Sequence, residues 1–90
     1  MEYSRIILEL LRQGAEGEVE DYSKYFFELT GKLGFEEEFA EGWLKENEKL
    51  FDLINDELIF YFYAEEDTNN RELCKEFLKP YYEKAKRLVK

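Results

Sequence analysis

The chain has 90 residues, a formal net charge of −9 and 18% aromatic side chains, with a single cysteine and no histidine. That length fits one domain spanning residues 1–90. Lack of histidine removes imidazole bases, serine–histidine and cysteine–histidine nucleophiles and histidine-ligated zinc, and the lone Cys74 builds neither an internal disulfide nor a thiolate metal cage.

Tyr3, Ile6, Ile7, Leu10 and Leu11 recur at helical spacing and predict a first helix over about 3–13, capped by Gly14. A second helix, about 18–31, carries Val19, Tyr22, Phe26, Leu29 and Leu33 on one stripe, with Glu18, Glu20 and Asp21 at the positive end of its dipole. A third, about 36–48, has Phe39, Trp43 and Leu44 facing inward and Gly42 as a weak point costing ~1 kcal/mol against alanine. Trp43 is expected in the core.

Residues 50–63 change character. Leu50 to Ile54 and Leu58 to Tyr63 are β-prone runs separated by Asn55-Asp56-Glu57, which predicts a hairpin with its turn at Asn55-Asp56. A final helix, about 70–89, opens near Asn69 or Asn70, and Asn69 with Glu72 three residues on reads as a variant capping box. Leu73, Phe77, Tyr81, Ala85 and Leu88 form its stripe, Cys74 lies on its inner side, and Pro80 is expected to kink or split it.

The order helix, helix, helix, hairpin, helix resembles the winged helix-turn-helix superfamily. The expected fold class is therefore α+β, with an all-α bundle as the alternative if residues 57–64 continue a helix. The resemblance implies DNA binding through the third helix and dimerisation through the C-terminal helix.

The charges point elsewhere. Residues 35–67 hold twelve carboxylates against Lys45 and Lys49, a local −10, while the last 23 residues carry +4. The outward positions of the third helix are Glu37, Glu38, Glu41, Lys45 and Glu48, whereas a groove-reading helix needs Arg, Lys, Asn or Gln aimed at bases and phosphates. Such a surface repels phosphate and attracts cations. The expected role is thus a non-catalytic acidic module, acting as adaptor, accessory subunit, inhibitor or DNA mimic on a basic protein surface such as a nucleic-acid-handling enzyme. Glu37, Glu38, Glu41, Glu48, Asp56 and Glu57 would supply charge, and Tyr61 and Tyr63 apolar anchoring. The stretch from Asp56 to Tyr61 is similar in style to the acidic-aromatic stretch of bacteriocin-immunity proteins. The alternative is a DNA-binding regulator that meets phosphate with Lys75, Lys79, Lys86 and Arg87 and pairs as a homodimer through its C-terminal helix.

No phosphate-cradling glycine loop, EF-hand loop or acid-x-lysine signature occurs, so no enzyme activity, cofactor or metal is expected. The longest apolar run, Leu58 to Ala64, is too short to span a bilayer, and the start of the chain lacks a basic, apolar leader. A cytoplasmic location is the expectation. Eighteen Glu and nine Lys beside a single Gln match the bias of proteins from hot environments.

Overall fold

Ile7, Leu11 and Ala15 fall four residues apart, which puts them on one face of a helix and gives that helix a reason to fold against something. The computed structural model describes residues 3–30, 37–58 and 70–89, the side chains of residues 30 and 56–58 excepted. In it this stripe belongs to α1 (Tyr3–Glu16), which buries Ser4, Ile7, Leu11, Gly14 and Ala15. The helix ends three residues later than expected. Gly17, not Gly14, takes the left-handed conformation (φ 78°). Gly17 N–H bonds to Gly14 O at 3.4 Å and Glu18 N–H to Gln13 O at 2.9 Å, the paired closure of a Schellman cap. Gly14 serves close packing instead: a Cβ there would lie 2.7 Å from the Tyr25 hydroxyl oxygen.

The second helix, α2 (Tyr22–Thr30), starts late because Asp21 is its cap. Asp21 Oδ1 accepts the backbone N–H of Ser23 at 3.0 Å and of Lys24 at 3.3 Å. Its inner face is Tyr22, Tyr25, Phe26 and Leu29, all buried. Tyr22 donates its hydroxyl to Gly14 O and Tyr25 donates to Leu10 O, each at 2.6 Å. Two phenols thereby tie α2 to the carbonyls of α1 while their rings fill the core.

α3 (Glu37–Glu46) stops short of the expected end, because Asn47 breaks the helix with φ −154° and starts another. Asn47 Oδ1 caps α4 (Glu48–Asp52) by accepting Leu50 N–H at 3.0 Å. The chain then tightens into a π-helical turn over Leu53–Leu58. α5 (Arg71–Leu88) is capped by Asn70, whose Oδ1 accepts Leu73 N–H at 3.0 Å; the cap is Asn70 rather than Asn69.

These elements overturn the α+β, winged-helix expectation. Residues 50–58 are helical, no strand occurs among the described residues, and the fold is all-α in that part. The physical reason is packing. Leu50 and Ile54, four apart, are both completely buried, and Phe51 lies against Trp43 with ring centroids 4.7 Å apart. A strand would have sent Phe51 to the face opposite Leu50 and Ile54. Burial of Leu50 and Ile54, with Phe51 packed beside them on the same helical side, outweighs the β propensity of the residue types. The second half of the expected hairpin, residues 59–63, lies outside the described residues.

α1 makes its most extensive contact with α5, and α3 packs across α1. Leu78, Tyr81 and Ala85 of α5 belong to the same buried core cluster as Trp43, and Cys74 is buried at 6% exposure. Leu44, expected inside, is 38% exposed. Pro80 neither ends nor splits α5, which runs through it with the proline on the exposed side. No helix among the described residues is long and apolar enough to cross a membrane.

Candidate functional site

The direction of the acidic face is set by what α3 must bury. Trp43 is completely buried, and Phe39 meets Tyr3 edge-on at 5.0 Å and 87°. Gly42 permits this approach, since a Cβ there would lie within 2.7 Å of Tyr3 Cδ2. The residue that looked like a helix weakness is therefore the contact point between α3 and α1. With Phe39, Gly42 and Trp43 turned inward, Glu37, Glu38, Glu41 and Lys45 are exposed, and α4 continues the surface with Glu48, Lys49 and Asp52.

Glu46 departs from this face. Its carboxylate closes the N-terminus of α1, accepting Ser4 N–H at 2.8 Å and Tyr3 N–H at 3.0 Å. Asn47 fixes the elbow between α3 and α4 a second time, donating Nδ2–H to Leu88 O at 3.0 Å.

Ion pairs engage five of the described carboxylates. Arg12 gathers Glu9, Glu16 and Glu18 around its guanidinium. Hydrogen bonds from Arg12 pull the Glu18 carboxyl below its ordinary range, and the three carboxylates hold the guanidinium firmly protonated. On α5, Lys79 pairs with Glu76 at 3.0 Å and Lys86 with Glu83 at 3.2 Å. Among the described residues no ion pair engages Glu37, Glu38, Glu41, Glu48 or Asp52. Lys79 and Lys86 thus pair within their own helix.

Of the residues expected to bind a partner, Glu37, Glu38, Glu41 and Glu48 share the α3–α4 surface. Asp56 and Glu57 sit in the π-helical turn by backbone, with side chains outside the described residues. Tyr61 and Tyr63 lie outside them altogether. Of the expected phosphate contacts, Lys79 and Lys86 hold carboxylates, and Lys86 also lies 4.8 Å over the Tyr82 ring. Lys75 lays its stem along Gly17, and Arg87, one residue beyond Lys86, is turned about 100° away from it. Lys75, Lys79 and Lys86 fall on one side of α5 by helical spacing, and Arg87 stands apart from them.

Phe27 is the residue that the sequence pattern passes over. It is 82% exposed on the outer side of α2, and adjacent Phe26 is 1% exposed. The signal was present in the spacing, because with Tyr22, Tyr25, Phe26 and Leu29 on one stripe Phe27 falls on the opposite side of the helix. An open depression of about 530 Å³ lies along α1, lined by Arg5, Ile6, Glu9, Leu10 and Gln13. Among the described residues no group of three or more His, Cys, Asp or Glu is arranged to hold a metal ion. No protein-family model matches the chain, and neither a curated protein nor a solved structure matches it.

Proposed function

We propose that this protein is a small, non-catalytic interaction module, an adaptor, accessory subunit or inhibitor, that docks its α3–α4 surface on a basic protein partner. The observation that supports this reading is the partition of ion pairs. Glu9, Glu16, Glu18, Glu76 and Glu83 are met by Arg12, Lys79 and Lys86, whereas Glu37, Glu38, Glu41, Glu48 and Asp52, five carboxylates on two consecutive helices, face solvent without such pairing among the described residues. A concentrated negative surface steers cationic partners into encounter and excludes polyanions. A nucleic-acid-handling enzyme, with a basic groove, is the kind of partner this charge suits.

The test is capture of a basic protein on the immobilised chain, followed by calorimetry with the Glu37→Lys, Glu38→Lys, Glu41→Lys triple variant. All three side chains are exposed, so the circular dichroism spectrum should stay that of the parent. Affinity should fall by about tenfold or more. Unchanged affinity removes α3 from the site. Retention of generic duplex DNA at low salt, with a steep salt slope, would instead mark a nucleic-acid binder.

A further inference from the structure

Ile6 keeps 36% of its surface in water, and it lines the depression along α1. The described lining of that depression is Arg5, Ile6, Glu9, Leu10 and Gln13, all of one helix. Ile6, Leu10 and Gln13 follow one another at steps of four and three residues and so form a row, with Arg5 and Glu9 one turn apart on its flank. The same flank continues to Arg12, whose guanidinium is shared by Glu9, Glu16 and Glu18, one cation among three carboxylates.

We propose that this face of α1 is a self-association surface, on which the α1 of a second copy lies antiparallel across a two-fold axis. Charge complementarity selects the occupant. A two-fold interface presents one patch to itself, so each flank of the row meets the same flank of the other copy. With the crossing centred between Ile6 and Leu10, Arg5 of each copy comes to Glu9 of the other, and two reciprocal ion pairs form together. Each arriving guanidinium brings a second cation to three carboxylates that share one. Ile6 and Leu10 add apolar area beside these pairs. Repulsion between like copies is slight at this helix, because α1 holds two arginines and two glutamates whereas α3 holds four glutamates and one lysine. Area sets the strength. Fourteen residues span about 21 Å, a small contact beside the ~800 Å² per side of a stable dimer, so the pair is transient, with a Kd on the order of 100 µM. None of the lining residues belongs to α3 or α4, and the proposal does not rest on the docking reading.

Sedimentation equilibrium of the full chain between about 10 µM and about 1 mM should show monomer passing to dimer. Arg5→Glu and Glu9→Arg each set like charges against each other and should each weaken the dimer about tenfold. Glu9→Arg also brings the net charge from −9 to −7, which would strengthen any association limited by overall repulsion, so its weakening is diagnostic. The double variant Arg5→Glu, Glu9→Arg exchanges the two signs and should return to within about threefold of the parent. Arg5, Ile6 and Glu9 are all exposed, so every variant should keep the parent's circular dichroism spectrum. Ile6→Ser should weaken the dimer as well. A parent that stays monomeric at about 1 mM overturns the proposal. So does a dimer that neither charge reversal weakens, or a double variant no tighter than the single ones. Docking on a basic protein is untouched by any of these results, since no partner is present in the measurement.

Discussion

Glu46 closes the N-terminus of α1 by accepting the backbone N–H of Ser4 at 2.8 Å, across 42 residues of sequence. The second carboxylate oxygen accepts Tyr3 N–H, so one side chain from the end of α3 satisfies two of the four donors that a helix start leaves unmet. Burial works against the charge, but the backbone donors of Ser4 and Tyr3 outweigh it and hold the carboxyl below its ordinary value of 4.5. The folded value being the lower one, the stabilisation is complete above the unfolded pKa and lost as pH falls through the folded value. Glu46→Gln should cost about 0.5–1 kcal/mol at neutral pH. It should also flatten the acid limb of stability against pH, read by urea unfolding between neutral pH and pH 3 or so.

Asn47 holds the elbow of α3 and α4 from both sides, accepting from Leu50 N–H and donating to Leu88 O. Asn47→Ala removes a helix cap and strands a partly buried carbonyl. The expected loss is about 1–3 kcal/mol in denaturant unfolding. Asn47→Asp keeps the cap and loses the donor, and should fall between the two.

Pro80 interrupts the hydrogen-bond ladder of a helix that nevertheless runs from Arg71 to Leu88. It is exposed, so its ring contributes little to the core. Pro80→Ala restores an N–H for Glu76 O and should raise the unfolding free energy by about 1–3 kcal/mol, discounted from the full helix penalty because the helix has already adapted to the ring. Thermal unfolding should shift upward accordingly.

Tyr25 and Tyr22 give the opposite pH limb. Burial pushes both phenols above their ordinary value of 10.0, most strongly for Tyr25. In the unfolded chain they lose protons near the ordinary value, so the unfolded state binds fewer protons above about pH 10 and stability falls as pH rises. Phenolate absorbance should rise in two steps, exposed tyrosines first and these two with unfolding. Tyr25→Phe should cost about 1 kcal/mol at neutral pH for the lost bond to Leu10 O and should soften the alkaline step.

Periodicity was a sound guide where a long stripe repeats. Most of the inner faces of α1, α2 and α5, with the burial of Trp43 and Cys74, follow from spacing four residues apart, but Ile6 and Leu73, expected on those stripes, are 36% and 47% exposed. It failed over Leu50 to Leu58, where a short apolar run satisfies both periods and only the neighbours decide. Those neighbours are Trp43, which Phe51 meets, and Asn47, which launches the helix. Gly14 and Gly17 illustrate a second limit. Both are plausible helix stops by type, yet one is required by a φ of 78° and the other by the approach of Leu78 and Tyr25. Nothing local distinguishes them. The acidic direction of α3 was legible because Trp43 fixes the inward side, but the diversion of Glu46 to the start of α1 was not, since it depends on a partner 42 residues away.

Every ion pair among the described residues links positions at most six apart in sequence. Such pairs are local and hold no two distant parts of the chain together; that task falls to the aromatic and aliphatic interior and to the hydrogen bonds of Glu46, Asn47, Tyr22 and Tyr25. Added electrolyte, which shortens the reach of charge from about 10 Å at 0.1 M to about 3 Å at 1 M, therefore works as a volume knob on the outside of the molecule. It turns the surface field down while the scaffold beneath keeps its shape.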